Sequence, residues 1–404
     1  MKNTWGLGGL SLVLVMILMG SGALMLLSYQ PFPELAYSSV LSLENSFIFG
    51  KITRSIHYFA ANFLVIFMFC HMLRVFFTGG YQGKRRVNWI IGVTIFGLVL
   101  LSCFTGYLLP WDQTAFWAVT ICMNMFDYVP LGSFLKGLFI SGNEVSEKTL
   151  QLFFTLHTTL IPSAMIIFLG THFWKIRKAK GIVTSGMNRL KDGEKPVMVG
   201  TNPNLLLREA VFALVLIALV ITVSFIFDAP LGDMANAGMS PNPAKAPWYF
   251  SGFQELLLHF HPFFAVFLIP SLLFCILIGL PFNKRERENE GTWFISDRAK
   301  KAAGIAVLLS LFLTPGLILL DEYILDFQKL FKEMPLILST GFIPFVLVLS
   351  LVLLFHFGMK KRYKLSGDEA FQTSAVFLIT AFVILTLVCT WFRGTGMKLI
   401  LGGA

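Results

Sequence analysis

Four histidines have the residue type and the spacing to do chemistry. His57 and His71 stand 14 residues apart, and His157 and His172 stand 15 apart. Each pair lies in an apolar stretch of helical length. Four turns of α-helix take about 14.4 residues and advance roughly 21 Å, so the two imidazoles of a pair fall on one helix face. A single membrane histidine serves equally well as an interhelical hydrogen-bonding group or a proton relay. Two segments offering two imidazoles each, at the same stride, are what two haems with paired axial histidines need. Two opposed neutral imidazoles leave the iron six-coordinate, which suits electron transfer rather than oxygen chemistry.

Nearby residues keep the same stride. Gly8 and Gly22 are 14 apart, as are Gly92 and Gly106. Small residues let a flat macrocycle approach a backbone, and they serve ordinary helix packing as well. Arg54 precedes His57 by one turn, Arg74 follows His71 by three residues, and Arg177 follows His172. Each is a candidate cation for a haem propionate, or a snorkelling residue at the membrane boundary.

The elements that must position these groups are membrane helices. The 404-residue chain is 56% hydrophobic and only 13% charged, with 42 phenylalanines. Soluble domains carry about 25% charged residues, so most of this apolar surface must face lipid. Nine stretches are long enough to span: 7–27, 57–77, 88–109, 152–174, 206–227, 262–281, 302–320, 337–357 and 371–392. The first is read as a span rather than a cleaved leader. The predicted fold is all-α, a polytopic bundle of about nine transmembrane helices whose first four hold the haems. Residues 1–180 form the predicted di-haem domain and 181–204 a cytoplasmic linker. Residues 205–404 form a C-terminal helical domain.

Alternate loops sort by charge. One set carries Lys84, Arg85 and Arg86, then Lys175, Arg177, Lys178, Lys180 and Lys191. It continues with Lys284, Arg285, Arg287, Lys300 and Lys301, then Lys360, Lys361, Arg362 and Lys364. The other set carries Asp112, Asp127, Glu144, Glu147, Asp228, Asp233, Asp321, Glu322 and Asp326. Basic loops stay inside. The expected location is therefore a bacterial inner membrane, multi-pass, with a cytoplasmic N-terminus. The net charge of +10 is accounted for by juxtamembrane loops beside anionic lipid, without nucleic acid. Spans two and four then run the same way. His57 pairs with His157 near the outer face, and His71 with His172 near the inner face. The five cysteines are scattered without a CxxC or CxxCH motif, and they are read as apolar fillers.

Three strings carry a resemblance: RSIHYFAANFLVIFMFCHMLRVFFTGGY (54–81), GYLLPWDQTAFWAV (106–119) and LHTTLIPSAMIIFLGTHFWKIRK (156–178). On these the chain resembles cytochrome b of the quinol:cytochrome c oxidoreductases, and its front half resembles the chloroplast-type branch most. The resemblance is continuous from about residue 5 to 180 and weaker over 202–282. It is poor over 283–404, where two spans are extra. It implies two non-covalent b haems, with His57 and His157 ligating the outer one and His71 and His172 the inner one. Quinone is the implied substrate. The implied quinol-oxidation pocket lies outside, between Pro110–Gln113 with its following helices and the loop at 228–261, at Pro247–Tyr249. A quinone-reduction pocket would lie inside.

Two departures stand out. The family's outer pocket carries Pro-Glu-Trp-Tyr, whose Glu is taken to accept a quinol proton. Here Trp248 and Tyr249 match, but Ala246 and Pro247 replace Pro and Glu. Glu255, two helical turns on, is a candidate replacement, expected to be buried with a raised pKa; Asp112 is its competitor, and simple pairing at the interface is the bland alternative. Secondly, Gly6 stands where the chloroplast-type branch has a Cys tying an extra c-type haem, so a covalent third haem is not expected. His259 and His261 are read as exposed and proton-exchanging, or as interfacial, and His356 as structural.

The expected activity is that of the di-haem b subunit of a quinol–cytochrome c reductase, active only with partners. Those partners are a Rieske-type iron–sulfur protein, a c-type cytochrome that can be multihaem, or both; a homodimeric core is implied by the family. Two rivals stand beside it. One is a non-bifurcating haem conduit between the quinone pool and a periplasmic cytochrome. The other is a histidine-dependent secondary transporter, which would need midplane charges that the spans lack.

Overall fold

The computed structural model describes residues 6–140, 144–179, 181, 201–282, 291, 293–294 and 296–400. Most of the expected linker at 181–204 lies outside the described residues, as do Lys180, Lys191, Lys284, Arg285 and Arg287. Among the described residues the structure is helical, apart from two isolated bridges, Asp112–Met234 and Arg393–Leu399.

Nine described helices are long and apolar enough to cross a membrane. They are α1 (Leu7–Met25), α2 (Phe49–Phe77), α3 (Gly83–Leu108), α4 (Glu147–Lys178), α5 (Asn202–Ile226), α6 (Phe263–Phe282), α7 (Asp297–Tyr323), α8 (Ile337–Tyr363) and α9 (Gly367–Trp391). Their outward rows are apolar: Leu214 is 66%, Phe312 78% and Leu354 70% exposed. Such rows have no place in water, and the chain is a multi-pass membrane protein.

Helices α2 and α4 start earlier than the hydropathy pattern predicts. Their opening turns are polar, with Lys51, Thr53 and Arg54 in one and Glu147, Lys148 and Gln151 in the other. Those residues form helix without being apolar. Ser146 opens α4 with a reciprocal cap to Thr149. His57 and His157 consequently sit well inside rigid helix rather than at its ends.

A local irregularity recurs. Wide π turns occupy Leu156–Leu160, Phe263–Leu268 and Ile337–Phe342. Each runs up to an Ile-Pro step, at Pro162, Pro270 and Pro344. Proline has no N–H and its ring clashes with the carbonyl four residues back. The ladder re-registers there as a π turn. In α4 that turn contains His157.

The chain divides into two compact units. The first is Met1–Thr120, Gly137–Gly238 and Leu280–Thr292; the second is Ile121–Lys136, Met239–Gly279 and Trp293–Ala404. In the first unit α1 packs along α2, α3 along α4, and α5 against α1 and α2. In the second, α9 is central, with α7, α8 and the short helix Trp248–His259 packed on it. Helix α9 starts at a Ser366–Glu369 capping box with Asp368 and Glu369 in its first turn, which satisfies orphan N–H groups and suits the helix dipole.

Candidate functional site

The site is built on α1 to α4, all in the first unit. The His57 and His157 rings face each other with centroids 6.1 Å apart and planes at 66°. Two metal–imidazole bonds of about 2 Å each, plus the half-widths of two rings, also come to about 6 Å. The pair is spaced to hold one metal between them.

Hydrogen bonds set the ligand atoms. His157 Nδ1 lies 2.9 Å from the Ser102 carbonyl oxygen. A carbonyl only accepts, so Nδ1 carries the proton and Nε2 the lone pair. His57 Nδ1 lies 3.0 Å from Ser21 Oγ, and that hydroxyl donates its own hydrogen to the Ile17 carbonyl at 2.8 Å. Ser21 therefore accepts from His57 Nδ1, and both rings take the same tautomer.

His71 and His172 form the second level and lie within electrostatic reach of each other. Arg86 Nε and Asn88 Oδ1 are buried and have no hydrogen-bond partner among the described residues. Buried polar atoms are normally paired. Arg86 and Asn88 lie near the start of α3, and a buried guanidinium nitrogen without a partner there fits an anionic group such as a haem carboxylate.

The four glycines back the four histidines one to one. A Cβ at Gly8 would lie 3.2 Å from His71 Cε1, at Gly22 3.3 Å from His57 Cε1, and at Gly92 3.4 Å from His172 Cε1. At Gly106 it would overlap His157 Cε1 and come within 2.8 Å of Nδ1. Each glycine leaves room for an imidazole: α1 receives the rings of α2, and α3 those of α4.

The other candidates separate into distinct settings. Arg54 pairs with Glu44 and donates to the Ala229 carbonyl at 3.0 Å and the Pro230 carbonyl at 2.5 Å. It thus holds the loop after α5 rather than standing as a spare cation. Arg74 is buried and Arg177 is exposed. Asp112 is buried. Its Oδ1 accepts from Ala115 N at 2.8 Å and its Oδ2 from Gly232 N at 3.0 Å, so it caps the helix Gln113–Met125 and ties down the 230s loop. Trp248 and Tyr249 open the helix Trp248–His259 with their rings edge to face. They belong to the second unit, whereas Pro110–Gln113 belongs to the first.

Glu255 differs most from expectation. It is fully buried, but Arg393 grips it: Nε lies 3.1 Å from both carboxylate oxygens and Nη2 2.6 Å from Oε1. Burial alone would raise its pKa, yet hydrogen bonds from His259 and Arg393 outweigh burial and hold the carboxyl below its ordinary range. His259 bridges Glu255, 3.3 Å from Nε2, and Asp321, 2.6 Å from Nδ1. Burial opposes its charge, but the two carboxylates prevail and raise its pKa to about 9. His259 is therefore part of a buried ion cluster rather than exposed. His261 stacks edge to face on Tyr128, and His356 is 2.9 Å from Ser374 Oγ.

Ser21, Ser102 and Arg393 were not singled out in the sequence. Ser21 adjoins Gly22, and Ser102 lies one turn before Gly106, so a serine near two of the four ring-facing glycines was the available signal. Arg393 is a basic residue on the side where acidic residues prevail, and within its own helix Glu255 has His259 as its basic partner.

Comparison with known proteins bears on the whole. The family model described as cytochrome b (N-terminal)/b6/petB matches residues 62–234. Cytochrome b6 of Heliomicrobium gestii is 37% identical over 172 residues, 42% of this chain and 81% of that one. The menaquinol:cytochrome c reductase cytochrome b subunit of Geobacillus thermodenitrificans is 39% identical over 173 residues, 42% of this chain and 77% of that one. A solved structure titled "Hyperthermophilic respiratory Complex III" superposes with a TM-score of 0.68 at 20% identity, over 95% of this chain and 91% of that one. At that identity it speaks for the fold alone, but it extends across the C-terminal helices that the sequence relatives leave uncovered.

Proposed function

The chain belongs to the cytochrome b family, a family of haem-b-binding membrane proteins, and from that premise we propose that it is the di-haem b subunit of a quinol:cytochrome c (bc-type) oxidoreductase. His57 and His157 hold one haem and His71 and His172 the other. The observation that carries this reading is the pair of facing imidazoles 6.1 Å apart, with the second pair four turns along the same two helices.

When bound, the haems supply reversible one-electron transfer. The chain's own residues do the rest. Ser102 and Ser21 hold the Nδ1 protons of His157 and His57, so Nε2 presents its lone pair. Glycines on α1 and α3 let each ring seat against backbone. Arg74 and Arg86 bring positive charge to the His71–His172 level, where carboxylates of the haem edge are anionic. The apolar helices exclude water from both levels.

In this reading the basic loops face the cytoplasm of a bacterial inner membrane, so the His57–His157 level is outer and quinol is oxidised on that side. Trp248 and Tyr249 belong to the outer site. The partners are a Rieske-type protein, a c-type cytochrome, or both, around a homodimeric core. A second reading, a non-bifurcating conduit, is favoured by two observations. Pro247 stands where a proton acceptor belongs, and Glu255 is committed to Arg393. Oxidant-induced reduction of the b haems with the outer site inhibited separates the readings, since only bifurcation produces it. The proposal as a whole is tested by the reduced-minus-oxidised spectrum and haem content of the purified protein, expected to be b-type and two per chain.

A further inference from the structure

The second unit contains a buried cluster that the haem reading does not use. Arg393 lies just past α9 and its side chain is 1% exposed, against 0% for Glu255. Besides gripping Glu255, it donates through Nη1 to Glu322 at 2.8 Å and to the Met397 carbonyl at 3.1 Å. An arginine whose planar fork is bonded on all three nitrogens is held in one orientation.

The same stretch of chain is fastened to the segment before Glu255 at further points. Gly396 N donates to Asn242 Oδ1 at 2.5 Å. Lys245 Nζ donates to the Thr390 carbonyl at 3.0 Å. Gln254 accepts from Ala246 N at 2.7 Å and donates to the Ala244 carbonyl at 2.7 Å, which folds the segment onto its own helix. At Gly252 a Cβ would lie 2.7 Å from Phe382 and from Thr386 of α9, so the short helix meets α9 at the closest approach a backbone allows. Trp248 and Tyr249 sit between these fastenings, two turns before Glu255.

Buried ion pairs seldom add stability over apolar residues of the same volume, whereas removing one partner is costly. What this pair fixes is therefore geometry rather than added stability. We propose that Arg393 is a positioning residue for the outer quinol site, acting through Glu255 to orient the Trp248–Tyr249 segment, with α9 and its tail as the scaffold. This rests on the reading that Trp248 and Tyr249 form part of that site. It assigns a task to the extra C-terminal span. It also replaces the expectation that Glu255 carries a quinol proton, because a carboxylate held ionised by arginine is a poor acceptor.

The test uses the membrane-embedded complex, with short-tailed benzoquinol and naphthoquinol as probes and b-haem reduction and oxidant-dependent turnover as readouts. The double variant Glu255→Leu/Arg393→Met removes the two buried charges together and leaves Glu322, which is part-exposed, as the carboxylate without its arginine. It is expected to keep both haems and a thermal midpoint nearer wild type than that of Arg393→Ala, while kcat/KM for quinol falls about 10- to 100-fold, the cost of misplacing a reacting group by about 1 Å. Arg393→Lys, which keeps the charge but not the fork, is expected to recover part of that loss. Wild-type kcat/KM in the double variant overturns the inference. If the double variant does not assemble, Arg393→Lys alone decides: assembled with lowered kcat/KM supports it, and assembled with unchanged kcat/KM overturns it. Failure of the functional reading has a different signature, namely that wild-type complex shows no quinol-dependent haem reduction with either probe.

Discussion

Replacing Gly106 with alanine places a methyl group on the His157 ring. The added Cβ would lie 2.8 Å from Nδ1 and 3.1 Å from Nε2, against an ordinary contact of about 3.5–4.0 Å. The ring must retreat by roughly 1 Å, about half the length of a metal–imidazole bond. It cannot retreat freely, because Nδ1 is bonded to the Ser102 carbonyl at 2.9 Å and His57 faces its other side. Overpacking of this kind costs about 1–3 kcal/mol, and here it falls on the ligand itself. At Gly92 the same methyl would rest 3.4 Å from His172 Cε1, a contact relieved by a few tenths of an ångström. Gly106→Ala is therefore expected to lose the haem of the His57–His157 level or shift its midpoint potential, while Gly92→Ala keeps both haems close to wild type. Gly8→Ala and Gly22→Ala should fall between. Haem per chain and a spectroscopic redox titration give the ranking. A Gly106→Ala protein with two haems at unchanged potentials, or a Gly92→Ala protein more damaged than it, would refute the glycine–histidine pairing.

His57→Leu or His157→Leu is expected to remove one haem, and His71→Leu or His172→Leu the other; loss of the same spectral component from His57→Leu and His71→Leu would contradict the two-level assignment. Arg393→Ala leaves Glu255 buried without its guanidinium and should destabilise the protein by about 3–5 kcal/mol, whereas Glu255→Leu/Arg393→Met should be near neutral; thermal midpoints in detergent distinguish the two, and equal losses would argue against the pairing. His259 titrates near 6.5 unfolded and about 9 folded. Its contribution, on the order of 3 kcal/mol, is full below about pH 6.5 and disappears as pH rises through about 9. The midpoint should fall over that window in wild type and not in His259→Gln; the same fall in the variant would exclude His259 as the cause.

The four-histidine arrangement of the front half was legible because its pattern is written in short-range periodicity. Histidines and glycines repeated at four helical turns had only to be placed on neighbouring helices to meet, and each glycine met one histidine. The Ile-Pro steps that bring π turns were visible as letters, but nothing in a hydropathy profile says that the ladder will widen rather than kink there. The C-terminal site was less legible. Glu255 and Arg393 are 138 residues apart, and no periodicity links them. Without that partner a buried carboxylate is expected to titrate high; with it, the sign reverses. Arg54 is a similar case, since its acceptors at Ala229 and Pro230 lie beyond α5, 175 and 176 residues away. Segment-by-segment reasoning assigns a charge to its nearest chemical need, whereas the fold assigns it to whatever the topology brings alongside.

We propose that four histidines on two helices bind two haems. The most direct measurement is haem content per chain of the purified protein together with its low-temperature EPR spectrum. Two non-covalent b haems per chain are expected, both low-spin with two imidazole ligands. One haem per chain, or a high-spin five-coordinate signal from either, would contradict it.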